Sequence, residues 1–193
     1  MSVIVAIKEN GVIYMGADSQ TTAGRRKFNK LNETAYKVTR LKNGMLVGFC
    51  GSVSASQTIL SMQDVFTLNE QGGLTKKHIV NHIIPKLVGN MDKFGDDENG
   101  ELGVSVLLAY KDKLYRIDQY LNVLNMNEYD KTGAGDDLVD YAVLSTKGLP
   151  VKERLIKALV ASARRTDSVS GPFVLIDTQN LEYEVINMGV ENY

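Results

Sequence analysis

The chain has 193 residues, 44% of them apolar, and a formal net charge of −1. That is the size of one domain with a substantial core. The near-zero charge excludes a global basic field that would draw in nucleic acid, and an acidic excess of the kind that marks disordered tails. The one cysteine, Cys50, excludes an internal disulfide; lying in an apolar run, it reads as a small buried hydrophobe. No basic region precedes a hydrophobic one at the N-terminus, and no apolar run approaches the roughly 20 residues of a spanning helix. The expectation is a soluble, cytoplasmic chain forming a single domain over residues 1–193, with neither nucleic acid nor membrane among its partners.

In chain order, Val3 to Ile7 and Val12 to Ala17 are β-branched-rich runs joined by Asn10-Gly11, the strongest two-residue hairpin signal. The first run is apolar at nearly every position, which predicts cover on both faces. Thr21 to Lys30 is polar, carries Arg25, Arg26 and Lys27, and reads as an exposed loop. Tyr36 to Leu41 and Met45 to Cys50 predict two strands around a turn at Lys42-Asn43-Gly44, with Lys37 inside the first. Ser52 is a good helix cap, and Ile59, Leu60, Met62, Val65 and Phe66 follow near helical spacing. A second helix begins near Thr75, with Pro85 expected to kink it.

Phe94 to Glu101 is an acidic, glycine-containing loop. Val104 to Tyr110, Leu114 to Ile117 and Tyr120 to Met126 predict strands. Thr132 to Gly135 reads as a glycine-rich turn, followed by a helix over Leu138, Tyr141, Ala142 and Leu144. Pro150 opens the next helix, whose stripe is Leu155, Ala158, Leu159 and Ala163. Phe173 to Ile176 and Tyr183 to Ile186 close the chain as strands. Strands thus come in hairpins and helices in pairs, an order that a simple alternating parallel sheet does not give. Two stacked antiparallel sheets with helices on both outer faces, an α+β four-layer αββα sandwich, satisfy it because each helix pair must bury a stripe.

Several motifs favour structural explanations. His78 and His82 are four apart on a predicted helix, a metal-compatible spacing, but no Glu follows His78 as a metalloprotease motif requires. Asp96 to Glu101 lacks the ligand spacing and glycine position of a calcium loop. Asp136 and Asp137 suit a helix start, where carboxylates offset the dipole. No metal or cofactor is expected. With both histidines read as structural, a Ser-His-Asp triad is hard to build, and a hydrolase needs another base. An amino terminus has an ordinary pKa of about 7.7–8.0, close to the working pH that general-base catalysis favours. Ser2, directly after Met1, is therefore a candidate nucleophile activated by its own amine, although the same residue could simply begin an edge strand.

Four segments bear on that choice. Gly16 to Thr22 contains Asp18, sixteen positions after Ser2; Tyr36 to Leu41 contains Lys37; Phe49-Cys50-Gly51-Ser52-Val53 ends a predicted strand; and Asp167 to Gly171 is a polar turn. In combination they resemble the proteasome β-type subunits and HslV-type peptidases, a family of N-terminal nucleophile (Ntn) hydrolases, over nearly the whole chain. The chain departs from that pattern in having Ser2 where threonine is usual, and Gly133-Ala134-Gly135 where Gly-Ser-Gly is usual. The stretch between Gly24 and Lys37 is also longer than in the archetypal members.

The resemblance implies these roles. Ser2, freed of Met1, is the nucleophile, and Lys37 lowers the pKa of its amine by like-charge repulsion. Asp18 holds Lys37 charged, the Gly51 N–H faces the oxyanion, and Asp167 and Ser170 complete the network around the amine. A peptide or unfolded-protein substrate lies extended between Thr22 and the Gly51–Val53 segment, with Phe49 lining the first specificity pocket and favouring smaller side chains. A self-compartmentalised homo-oligomeric ring is implied, with an ATP-dependent unfoldase as a possible partner. Two alternatives stay open: a catalytically silent structural subunit of such a ring, and an Ntn amidohydrolase acting on a small-molecule amide.

Overall fold

The computed structural model describes residues 2–23, 26–28, 37–90, 101–134 and 136–187. Strands β1 (Val3–Glu9) and β2 (Val12–Ala17) form the expected hairpin, with Asn10 and Gly11 both at positive φ. They lie in a five-stranded antiparallel sheet of order β10-β1-β2-β11-β12, where β10 is Tyr129–Gly133, β11 is Phe173–Asp177 and β12 is Glu184–Ile186. The second five-stranded sheet has the order β5-β6-β7-β8-β9: Val38–Arg40, Leu46–Gly51, Val104–Tyr110, Lys113–Ile117 and Val123–Met126.

Side-chain alternation divides the core into three layers. Ile4, Ala6, Ile13, Met15, Ala17, Leu46, Leu107 and Val174 meet between the sheets. Val3, Val5 and Ile7 point the other way, onto α4 (Asp136–Ser145) and α5 (Val151–Arg165). Val47, Phe49, Val106 and Leu108 face the helices on the outside of the second sheet. Those helices are α1 (Val53–Ser61), α2 (Lys76–His78) and α3 (Ile84–Val88). The double apolar face of β1 follows from this placement, since it is covered by helices on one side and by a sheet on the other. Gly48 lets the sheets approach: a Cβ there would meet Met15 Sδ at 3.0 Å and Ile4 Cγ2 at 3.1 Å. The layered α+β architecture agrees with the sequence pattern.

Several local expectations are corrected. Part of the Thr21–Lys30 segment forms a separate two-stranded hairpin, β3 (Thr21–Ala23) with β4 (Arg26–Phe28). Lys37 lies one residue before β5 rather than inside a strand, although its carbonyl still accepts from Phe49 N at 2.9 Å. Thr132 and Gly133 end β10 instead of forming a turn. Helix α1 stops at Ser61, and a 3₁₀ turn carries Val65. Pro85 does not simply kink its helix. A π-helical segment over Ile79–Ile83 precedes it, as fits a residue that cannot donate to the preceding turn. The acidic residues 96–100 lie outside the described residues, as do Gly24, Gly135 and Met1.

Candidate active site

Ser2 sits at the free end of β1 and is 8% exposed. Val3 pairs with Gly133 of β10, and the pairing continues one step outward: Ala134 N donates to Ser2 O at 2.7 Å. Gly133 has φ +113°, and a Cβ there would lie 1.9 Å from Ser2 O. Only glycine allows β10 to pass this close, so Gly133 fixes where Ser2 can be. Cys50, at the end of β6, approaches from the other sheet, with Sγ 3.5 Å from Ser2 O. Burial raises the pKa of its thiol, and the nearby Lys37 charge pulls it back. The expected buried cysteine is therefore partly exposed and lies against Ser2.

Asp18 follows β2 and is 1% exposed. Its carboxylate accepts four hydrogen bonds. Oδ1 takes Val3 N at 2.9 Å and Lys37 Nζ at 2.8 Å; Oδ2 takes Gln20 N at 3.1 Å and Lys37 Nζ at 2.8 Å. Lys37 Nζ also donates to Gln20 O at 2.5 Å. Burial raises the Asp18 pKa and lowers that of Lys37, and their mutual attraction and hydrogen bonds oppose both shifts. The hydrogen-bond pattern fits the charged pair, because a protonated carboxyl would give up acceptor capacity that these N–H groups use. Lys37 joins the two sheets at this point, and Val3 N ties the pair to the peptide unit that begins at Ser2.

The Asp167–Gly171 turn reaches this centre through its backbone. Gln20 Nε2 donates to Asp167 O at 2.9 Å, and Ser19 N to Ser170 O at 3.3 Å. Ser170 Oγ lies 3.5 Å from Gly171 O. Gly51 has φ +142°, and a Cβ there would come within 2.5 Å of Gly103 O and 2.8 Å of Val104 Cα. Thr22 and Val53 are both exposed, and Val53 is the first residue of α1. Ser52 caps α1 through its side chain, accepting from Ala55 N at 3.3 Å.

Phe49 is placed differently from what the resemblance implied. Its ring is 3% exposed and meets Phe66 edge-on at 6.4 Å, so it packs in the core beneath α1 instead of facing an open pocket. His78 and His82 stack at 4.7 Å, with His78 Nε2 3.0 Å from Thr67 Oγ1. Among the described residues, no group of three or more His, Cys, Asp or Glu side chains is arranged to hold a metal. The sequence pattern gave Cys50 a core position and gave neither Gly133 nor Gln20 a role in the site. Gly133 could have been found only by knowing that β10 pairs with β1.

No protein-family model matches the sequence, and no curated protein matches it by sequence. Solved structures do match in fold. BPH from Thiobacillus denitrificans superposes with a TM-score of 0.74 at 18% identity, over 91% of this chain and 96% of BPH. HslV from Trypanosoma brucei gives 0.66 at 15%, over 91% and 98%. Anbu, an ancestral β-subunit from Yersinia bercovieri, gives 0.71 at 15%, over 95% and 86%. The chain has the proteasome-β/HslV-type Ntn hydrolase fold. At these identities the Ntn likeness fixes architecture, and the chemistry rests on the residues themselves. A second BPH structure is a complex with epoxomicin. Among the described residues of this Ntn fold, no helix is long and apolar enough to cross a membrane.

Proposed function

We propose that the chain is a proteasome-like endopeptidase in which Ser2, made N-terminal by removal of Met1, is the nucleophile. The observation that carries this reading is the Asp18–Lys37 pair. It is buried, fully hydrogen-bonded and tied to Val3 N, one peptide unit from the Ser2 hydroxyl. A silent scaffold has no need of a charged lysine held there, and a buried pair of this kind adds little stability on balance.

In this reading Ser2 Oγ attacks the scissile carbonyl, and its proton passes, through a water, to the Ser2 α-amine. Charged Lys37 keeps that amine neutral and ready to accept it. The Gly51 N–H stabilises the oxyanion, a contribution worth about 3–4 kcal/mol in comparable sites. The amine then protonates the leaving nitrogen, and water hydrolyses the resulting ester. Asp167 and Ser170 complete the network around the amine. The peptide adds as a strand between Thr22 and the Gly51–Val53 segment, within a ring of identical chains that an ATP-dependent unfoldase could supply.

Intact mass and a fluorogenic peptide test this together. A chain lacking Met1 should hydrolyse the peptide and Ser2→Ala should not, whereas undiminished hydrolysis by Ser2→Ala would overturn the reading. Epoxomicin, bound in one BPH structure, should slow the reaction of the processed chain only. Faster turnover of small amides than of peptides would favour the amidohydrolase alternative.

A further inference from the structure

Gln20 is 1% exposed, and the scheme above gives its side chain no role. A buried carboxamide is costly unless its hydrogen bonds are made. Gln20 makes them to separate parts of the site. Its backbone N–H donates to Asp18 Oδ2 at 3.1 Å, and its carbonyl accepts from Lys37 Nζ at 2.5 Å. Its side-chain Nε2 donates to Asp167 O at 2.9 Å and lies 3.4 Å from Thr22 Oγ1.

The local fold makes this side chain necessary. Among the described residues, 18–20 belong to no strand, and β3, which follows, pairs with β4 in a separate two-stranded sheet. No ladder therefore fixes the carbonyl that Lys37 needs. An ammonium has three protons, and the acceptors here are Asp18 Oδ1, Asp18 Oδ2 and Gln20 O. If the Gln20 carbonyl drifts, one proton loses its acceptor in a site that is already desolvated. We infer that Gln20 is a positioning residue: its carboxamide, anchored on the Asp167 carbonyl, holds its own backbone where it completes the coordination of Asp18 and Lys37.

The inference rests on the reading of Ser2 as nucleophile, and the experiment separates the two. Peptide hydrolysis by the full chain, processed at Met1, is measured across pH for wild type, Ser2→Ala, Gln20→Ala and Gln20→Glu. Gln20→Ala should lower kcat about three- to tenfold, the rate equivalent of one net hydrogen bond. KM should stay within about twofold, because the lost interaction acts on the chemical step. The alkaline limb should move to lower pH, because an ammonium short of one acceptor loses its proton more readily. Gln20→Glu keeps the shape and guards against a folding failure of the alanine variant. Its carboxyl can donate to Asp167 O only when protonated, so its activity relative to wild type should rise toward acid pH.

Lysine 13Cε NMR follows Lys37 without turnover, and its titration should move to lower pH in Gln20→Ala. An unchanged kcat, pH profile and Lys37 titration in Gln20→Ala, beside an inactive Ser2→Ala, would overturn the inference alone. A fully active Ser2→Ala would instead overturn the reading beneath it.

Discussion

Two buried aspartates each meet a cation from the opposite sheet, and they are finished very differently. Asp18 pairs with Lys37 and accepts four hydrogen bonds, and Lys37 Nζ has three acceptors. Asp130, on β10, is 4% exposed and pairs with Arg116 of β8 at 3.3 Å. It sits opposite Ala6 of β1, an inter-sheet position, and so faces the second sheet. Among the described residues its Oδ2 and the Arg116 Nε are buried without a hydrogen-bond partner, and burial raises the pKa of its carboxyl. A buried charge therefore does not by itself mark a functional centre in this molecule. What distinguishes the Asp18 site is that its hydrogen-bonding capacity is used and that the network ends on Val3 N, the amide of the peptide unit that begins at Ser2.

Removing the cation from each pair tests that distinction most severely. Lys37→Met strands a carboxylate that three residues hold in place, and should cost about 3–5 kcal/mol of stability. On the proposed mechanism it should also cost at least about 100-fold in peptide hydrolysis, the scale of acid–base assistance. Arg116→Met leaves Asp130 with an oxygen already unpartnered and a pKa already raised. It should cost about 1–2 kcal/mol and leave kcat within a few-fold. Denaturant unfolding and peptide assays on both variants check the contrast. An Arg116→Met enzyme as impaired as Lys37→Met would erase it.

Gly133 comes next in expected effect, because it lies on β10 with Asp130 yet touches Ser2. Gly133→Ala would press a methyl into the Ser2 carbonyl, 1.9 Å away, at φ +113°. The strain and displacement should cost about 2–3 kcal/mol, and the chemistry should suffer more than the fold. A variant that keeps its melting temperature and its hydrolysis rate would show that β10 does not set the Ser2 position.

This division also explains what was legible in the sequence. Lys37 stands out as a charge beside apolar strands, whereas the site roles of Asp18 and Lys37 are legible only through the resemblance to the proteasome β-type family. The sandwich could be read because β1, β6 and β7 carry dense apolar runs. β10 could not. Tyr129-Asp130-Lys131-Thr132-Gly133 is polar at most positions, since Asp130 and Thr132 face inward at the sheet edge while Lys131 reaches Asp140 on α4 at 2.5 Å. Its strand character comes from pairing with β1, which hydrophobic periodicity does not encode. The β3–β4 hairpin was missed for the same reason, and with it the need for Gln20 to fix the connection after Asp18. Phe49 shows the converse limit of a resemblance, which matches a position but not the packing of its side chain, here buried against Phe66.

The smallest expected effect concerns the pH dependence of the second pair. Because burial raises the Asp130 pKa, the folded state binds this proton more tightly than the unfolded chain, whose value is about 3.9. The group's contribution to stability is therefore present below the unfolded pKa and is lost as pH rises through the folded value. Asp130→Asn removes that titration while keeping a carbonyl oxygen for Arg116. The variant should gain on wild type between acid and neutral pH, by about 1 kcal/mol at pH 7, the cost of one badly satisfied buried group. Urea unfolding at pH 4 and pH 7 measures the difference directly. Peptide hydrolysis by Asp130→Asn should match wild type, whereas Asp18→Asn, which disturbs a saturated pair, should not.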